Sequence, residues 1–134
     1  MSESSVRVAV HLVWSTKGRV GVVGAREEQE IQAAAAEQLA RLVCPLIAFG
    51  ASDDHVHVLF WLSPLVPIVD VARSIKSASA VRVNKLGGVT LRWQTGYAAS
   101  SVTPSALDVV ARYVRSQRLH HAAATTAEEW ERIA

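Results

Sequence analysis

Two short segments carry side chains suited to chemistry on a phosphate group. In the first, His55 and His57 flank Val56 in an apolar run typical of a β-strand. Because side chains alternate across a strand, both imidazoles point to one face, about 7 Å apart. Two imidazoles on one face of a rigid element supply half of a metal site. The same pattern also fits two ordinary polar residues on a half-exposed strand, so both interpretations stay open.

The second segment places Tyr113 and Gln117 four residues apart in a pattern typical of an amphipathic helix. Residues at that spacing share a helical face, which here lies beside the apolar stripe. Gln117 could complete a His-His-Gln ligand set through its side-chain carbonyl, and Tyr113 could act as a nucleophile. The alternative for Tyr113 is a tyrosine at the edge of the core, an ordinary place for this residue in such a helix.

Together these two pairs of residues, His55 with His57 and Tyr113 with Gln117, favour phosphoryl transfer. A free tyrosine has a pKa of about 10, so only about one phenol in a thousand is ionised at neutral pH. A Mg²⁺ or Mn²⁺ ion on the histidines would polarise the phosphate and offset its developing charge. Neutral ligands would leave that ion its positive charge and open positions for phosphate oxygens. Attack by Tyr113 would form a covalent phosphotyrosine, which conserves the phosphodiester bond energy for rejoining.

Composition limits the class of protein. The chain has 134 residues, of which 50% are hydrophobic and 19% are charged, as in one globular domain. No apolar run has membrane length, and the start MSESSVRVAV lacks the features of a signal peptide. The single cysteine, Cys44, excludes an internal disulfide, suits a reducing cytoplasm and is expected to pack in the core. The formal net charge of +2 does not by itself indicate a nucleic-acid partner.

The elements that must position the two pairs follow from hydrophobic periodicity and turn signals. Extended structure is predicted for 6–14, 46–51, 55–62 and 91–102, and helices for 25–43, 68–86, 103–121 and, as a short peripheral segment, 127–133. Thr103 is expected to cap the third helix, with Pro104 at its first position. This order predicts one domain over residues 1–134. Its fold class is α+β: a ferredoxin-like (RRM-like) antiparallel sheet with helices on one face, plus a C-terminal tyrosine-bearing helix.

Four segments carry a resemblance to a known family. They read HLVWSTKGR from His11, DDHVHVLFWL from Asp53, WQTGYAASSV from Trp93 and ARYVRSQRLHH from Ala111. In the order and spacing of these segments, over nearly its whole length, the chain resembles the TnpA-type single-tyrosine transposases of small bacterial insertion sequences. Those proteins are HUH (His-hydrophobic-His) endonucleases. The chain is similar as well to the related transposases associated with repetitive extragenic palindromes (REP).

The resemblance implies a role for each residue of the two pairs. His55 and His57 would bind the metal together with Gln117, and Tyr113 would be the nucleophile. The implied activity is cleavage and rejoining of single-stranded DNA at the hairpin ends of a mobile element, through a 5′-phosphotyrosine and a free 3′-OH. The implied partner is a second copy of the chain, since in well-studied members the tyrosine helix of one subunit completes the site of the other. Such a protein would work in the bacterial cytoplasm, at the nucleoid when bound to DNA.

Basic and histidine side chains outside this set have less specific interpretations. Candidate contacts to a DNA backbone are Lys17, Arg19, Arg73, Lys76 and Arg92. Each could equally belong to a solvated surface. His120 and His121 are expected to support the site structurally rather than to bind the metal. The main alternative function is a non-catalytic or domesticated module that binds single-stranded nucleic acid on the same fold, which would not need Tyr113 and Gln117 to converge on the histidines.

Overall fold

In the computed structural model, which describes residues 4–118, strands and helices follow the predicted order. The elements are β1 (Val8–Ser15), α1 (Ala25–Arg41), β2 (Leu46–Ala51), β3 (His55–Leu62), α2 (Ile68–Leu86), β4 (Ala98–Val102) and α3 (Leu107–Arg115). The strands form one antiparallel sheet in the order β2-β3-β1-β4. A βαββαβ chain with its first and third strands at the centre of the sheet has the ferredoxin-like topology. The predicted fold class is therefore confirmed.

The larger core lies between the sheet and the helices α1 and α2. In β1, the alternate residues Val10, Leu12 and Trp14 belong to this core, as the two-residue period of a strand requires. The helices contribute apolar residues from one face of each, among them the fully buried Ile31 and Ile75. This layer leaves the odd-numbered residues of β1 and β3 for the opposite face of the sheet.

The helix α3 packs on that opposite face, over β2 and β3. Its buried side chains lie on one stripe of a strongly amphipathic helix. They form a second, smaller core with residues of the sheet, and its members are Ala48, Leu59, Val110, Ala111 and Val114. The helix thereby covers the part of the sheet that contains the histidines of β3.

Several boundaries agree with the sequence-based prediction, and the differences have local causes. The segments 46–51, 55–62 and 68–86 fold as predicted, and Cys44 is buried as expected. The strand β1 begins and ends slightly later than the predicted 6–14. The first helix ends before residue 43 because Val43 has a φ of 58°, a left-handed conformation that stops a helix.

The entry to α3 differs in part from the prediction. Thr103 stands at the N-cap position and Pro104 in the first turn, as predicted. Residues Pro104–Ala106 form a 3₁₀ turn that precedes the α-helix. Within residues 4–118, the Thr103 hydroxyl makes no cap hydrogen bond and lies 3.3 Å from the hydroxyl of Ser105. Of the predicted extended segment 91–102, only β4 pairs as a regular strand, while Trp93 forms an isolated bridge with Thr16.

Some predictions fall outside the described residues. They concern His120, His121, the predicted helix beyond residue 118 and the short helix at 127–133. Within the described residues α3 already ends at Arg115, earlier than the predicted 121, because Ser116 leaves the helical conformation with a φ of −104° and a ψ of 25°. Within the described part of the chain, no helix combines the length and the hydropathy needed to cross a bilayer.

Candidate functional site

The histidines of β3 lie in a central strand, on the face that α3 covers. His55 and His57 are fully buried, and their ring centroids are 5.1 Å apart with the ring planes inclined by 66°. The antiparallel strand β1 places Ser15 and Val13 directly opposite them. The two imidazoles therefore share one face as the strand period predicts, but they are buried rather than half-exposed.

The helix α3 brings Tyr113 to the same place, and Gln117 follows just after the end of the helix. The Tyr113 ring stands edge-on to the His57 ring, with centroids 6.0 Å apart, and 5% of Tyr113 is exposed. The Gln117 side chain is buried, and its Oε1 lies 3.3 Å from His55 Nε2. The amide nitrogen of Gln117 donates to the Tyr113 carbonyl oxygen at 3.0 Å, which fixes the orientation of the amide. Its oxygen is thus directed at His55.

A carboxylate orients His55 from the other side. Asp54 Oδ1 lies 2.7 Å from His55 Nδ1, and Arg19 Nε donates to the same carboxylate at 3.1 Å. Burial raises the pKa of the Asp54 carboxyl, but the hydrogen bonds from His55 and Arg19 and their charges outweigh burial and hold the pKa below its ordinary value. Asp54 is therefore ionised at neutral pH and accepts a hydrogen bond from His55 Nδ1–H. The other ring nitrogen, Nε2, is the one that faces Gln117.

A third histidine, for which no role was predicted from the sequence, belongs to this site. His11 Nε2 lies 2.7 Å from His57 Nδ1, with ring centroids 4.9 Å apart and ring planes inclined by 25°. A signal for His11 was present, because it is a polar residue in the middle of the apolar strand VAVHLVWS, and a buried polar group needs a partner. The sequence could not supply the register that makes His57 that partner.

Gly50 permits α3 to come this close to the sheet. It lies opposite His57 in the ladder between β2 and β3. A β-carbon at this position would overlap the Val114 carbonyl oxygen and stand 3.2 Å from Gln117 Cγ. The overlapping atom belongs to the backbone of α3, so a larger residue here would displace the whole helix.

A second contact holds the end of the tyrosine helix. Arg118 donates one hydrogen bond to the Val23 carbonyl oxygen and another to the Glu28 carboxylate, each at 2.8 Å. Tyr113 and Gln117 accordingly approach the histidines of their own chain. The resemblance implied completion of the site by a partner subunit, whereas this structure brings both pairs together within one subunit.

Comparison with known proteins identifies the family. The model of the family described as IS200-like transposases matches residues 4–117. The matched span includes the histidines of β3 as well as Tyr113 and Gln117. The chain belongs to the IS200-like transposase family.

Individual relatives agree with this assignment. The ISDra2 transposase TnpA of Deinococcus radiodurans is 27% identical over 115 residues, which cover 80% of this chain and 81% of that protein. A crystal structure of a candidate transposase from Deinococcus radiodurans has a TM-score of 0.67 at 22% identity and covers 88% of this chain and 98% of its own. A REP-associated tyrosine transposase bound to a REP hairpin has a TM-score of 0.68 at 14% identity, with 99% and 82% covered. At these identities the two structures show a shared fold.

The donor atoms of this transposase fit a divalent ion. Within residues 4–118, no three His, Cys, Asp or Glu side chains group into an ion site, so an ion would depend on the amide oxygen of Gln117 as a third protein ligand. Two ligands at right angles around Mg²⁺ are about 3 Å apart, because each bond is about 2.1 Å long. His55 Nε2 and Gln117 Oε1 are 3.3 Å apart. A hydrogen bond between them needs a proton on Nε2, and ion binding would replace that proton.

Two of the basic residues predicted to contact DNA are engaged within the chain. Arg19 is paired with Asp54. Lys76 donates to the carbonyl oxygens of Gln94 and Gly96 at 2.8 and 2.9 Å, and burial lowers its pKa. Both side chains therefore have structural roles in the transposase, and their contact with DNA stays a prediction.

The other three basic residues are differently placed. Lys17, Arg73 and Arg92 form no ion pair with any residue in the range 4–118. Lys17 and Arg92 line one cavity of about 330 Å³ together with Thr16 and Thr90. The backbone N–H of Thr16 donates to the carbonyl oxygen of Asp54, the residue that precedes His55. Positive side chains that form no ion pair with the described residues suit contact with phosphate groups.

Proposed function

We propose that this transposase cuts and rejoins single-stranded DNA, with Tyr113 as the nucleophile and a divalent ion held by His55, His57 and Gln117. The proposal rests on one observation, the convergence of these four residues. His55 and Gln117 are 62 positions apart in the chain, yet their side chains meet in a buried site beneath α3. A module that only bound nucleic acid would not require a buried tyrosine and a buried amide directed at two histidines.

Cleavage would begin with attack of the Tyr113 phenolic oxygen on a backbone phosphorus atom. The new P–O bond joins the tyrosine to the 5′ end of the downstream strand, and the phenolic proton passes to water. The bond from phosphorus to the 3′ oxygen of the upstream strand breaks, and that oxygen keeps the electron pair and takes up a proton. One phosphoester replaces another, so a 3′-OH can later attack the phosphotyrosine, release Tyr113 and restore a continuous strand.

The proposed ion is Mg²⁺ or Mn²⁺, which would polarise the phosphate and stabilise the charge that develops on it. The chain itself orients the ligands: Asp54 holds His55, and the Tyr113 carbonyl holds the Gln117 amide. His55 and His57 are fully buried, so a phosphate can reach them only after a conformational change at this face. Among the described elements, α3 covers this face, and its return would align Tyr113 with the bound phosphate.

The proposed substrate is a single strand that carries the hairpin ends of a mobile element. The fold supports this choice, since the REP-associated tyrosine transposase of the same fold was solved bound to a REP hairpin. Lys17, Arg73 and Arg92 are the proposed contacts to the strand's phosphates.

We also propose a homodimer, because two strand ends must be cut and rejoined. The proposed place of action is the cytoplasm. Sedimentation with hairpin DNA measures the assembly, and a stable monomer would contradict the dimer.

A covalent adduct tests the proposal directly. The protein is mixed with Mn²⁺ and a pool of labelled single strands that contain a hairpin with randomised flanks. We expect a protein–DNA species that survives denaturing electrophoresis, requires the metal and retains a label at the 3′ end but not one at the 5′ end. Strand binding without an adduct under any metal condition would favour the non-catalytic binding module.

Gly50→Ala is expected to slow adduct formation about a hundredfold. The added methyl group overlaps the Val114 carbonyl oxygen, so α3 must shift outward, and a misplacement of about 1 Å can cost about 10²-fold in rate. The larger core lies on the opposite face of the sheet and should keep the protein folded.

The rate of adduct formation and the melting temperature measure the effect of the Gly50 substitution. Gly21→Ala is a matched control, because the nearest atom to its added carbon belongs to the flexible Asp53 carboxylate, at 2.9 Å, and not to the backbone. Equal rates for Gly50→Ala and the parent chain would mean that close approach of α3 is not needed.

A further inference from the structure

His11 is a buried histidine whose role the proposed function leaves open. We propose that His11 is a positioning residue, which accepts a hydrogen bond from His57 Nδ1–H and so makes Nε2 the nitrogen that His57 presents to the ion. The inference rests on the proposed metal site. It is carried by the contact between His11 Nε2 and His57 Nδ1, at 2.7 Å.

The geometry of the two rings supports a directed hydrogen bond rather than face-to-face stacking. A ring nitrogen lies about 1.1 Å from the centroid of an imidazole, so two rings joined nitrogen to nitrogen in a straight line at 2.7 Å would have centroids about 5 Å apart. The observed centroid distance is 4.9 Å, and the planes are inclined by only 25°. The two imidazoles of His11 and His57 therefore lie edge to edge, with the N–H of one directed at the lone pair of the other.

The chemistry of metal-binding histidines decides which ring donates. A neutral imidazole that binds an ion through one nitrogen carries its proton on the other, and that N–H is almost always given to an acceptor. His55 has such an acceptor in Asp54. His11 supplies the corresponding acceptor for His57, which requires the proton of His11 to be on its own Nδ1.

The two acceptors differ in charge, and the difference has a consequence. Asp54 is an anion that Arg19 partly neutralises, whereas His11 in its accepting form is neutral. A second carboxylate in place of His11 would add negative charge to the site and weaken the attraction between the ion and a phosphate. His11 thus holds His57 in the required tautomer without reducing the positive charge available to the substrate.

The position of His11 suits this task. It lies on β1, which is flanked by β3 and β4, two residues along the strand from Val13, the residue directly opposite His57. Diagonal neighbours on adjacent strands are within reach of long or aromatic side chains. A central strand fixes the acceptor more firmly than a loop would.

Two substitutions at position 11 separate positioning from packing. His11→Leu introduces an apolar side chain of similar volume and removes the acceptor, and His11→Gln supplies an acceptor oxygen near the place of Nε2. We expect Mn²⁺ affinity, measured from the electron paramagnetic resonance signal of free Mn²⁺, to fall about 10- to 100-fold in His11→Leu. His11→Gln should stay within about threefold of the parent chain. Ser100→Ala is the control, since Ser100 lies opposite His11 on β4 and is exposed.

A spectroscopic measurement on the unaltered chain tests the same point without any variant. In Mg²⁺-saturated protein with ¹⁵N-labelled histidine, long-range ¹H–¹⁵N correlation shows which nitrogen of His57 carries the proton. We expect Nδ1 to be protonated. A proton on Nε2 would overturn the proposal, and so would equal Mn²⁺ affinities for His11→Leu and the parent chain, or equal losses for His11→Leu and His11→Gln.

Failure of the proposed function would look different. If the parent chain binds Mn²⁺ with the expected dependence on position 11 but forms no DNA adduct, the nucleophile is wrong and the positioning role of His11 stands. If the parent chain binds neither Mn²⁺ nor Mg²⁺, the proposed metal site is wrong, and the proposed role of His11 is wrong as well.

Discussion

Tyr113→Phe is expected to abolish the covalent protein–DNA adduct. The rate of adduct formation should fall by roughly four orders of magnitude or more, as when other enzymes lose their nucleophile. The change removes one oxygen atom. The phenyl ring can keep its buried position edge-on to His57, where the tyrosine ring now lies 6.0 Å away. The loss of a hydroxyl changes the free energy of unfolding by about 1 kcal/mol, too little to unfold the chain. Adduct yield on a denaturing gel and strand binding by fluorescence anisotropy measure the two properties separately.

The chain offers a matched control for this substitution. Tyr97 is the other of its two tyrosines, and it packs against the larger core on the far side of the sheet from α3. Tyr97→Phe should therefore form the adduct at the parent rate. If Tyr113→Phe forms as much adduct as the parent chain, Tyr113 is not the nucleophile and the proposed mechanism is wrong.

The parts of the site that lie on one element were predictable from the sequence. His55 and His57 share a face because the period of a strand is two residues, and Tyr113 and Gln117 share a face because a helix repeats every 3.6 residues. Both pairs follow from spacing within a single segment. The relation of His11 to His57 does not, because the two residues are 46 positions apart and only the register of β1 on β3 brings them together.

The same limit explains the residues whose surroundings the sequence did not reveal. Arg19 and Lys17 are near neighbours of the same charge, yet only Arg19 meets Asp54, which lies 35 positions further along the chain. Gly50 reads as an ordinary glycine in a short strand. Its importance becomes visible only when α3 is seen to pack on it. Periodicity predicts which face a residue occupies, whereas the partner on that face depends on how separate elements assemble.

His57→Ala is expected to reduce adduct formation by at least about 10³-fold, for a reason different from the loss of the tyrosine. The change removes a proposed metal ligand and leaves a gap beside the His11 ring, while Tyr113 is still present to attack. An ion would then be held by His55 and Gln117 alone. Because the remaining atoms cannot recreate the missing bond, no concentration of Mn²⁺ should restore the parent rate. The melting temperature must be checked too, since the loss of a buried side chain costs about 1–3 kcal/mol.

Gln117→Ala is the variant with which the Mn²⁺ dependence of His57→Ala is compared. The amide oxygen is the weakest of the three proposed ligands, and two imidazoles with water can still hold an ion loosely. We therefore expect a loss of about 10- to 100-fold at low Mn²⁺ and partial recovery as Mn²⁺ is raised. The adduct rate titrated against Mn²⁺ should show a shifted curve for Gln117→Ala and a flat one for His57→Ala. If excess Mn²⁺ rescues both variants equally, His57 does not bind the ion, and the division of roles among His55, His57 and Gln117 is wrong.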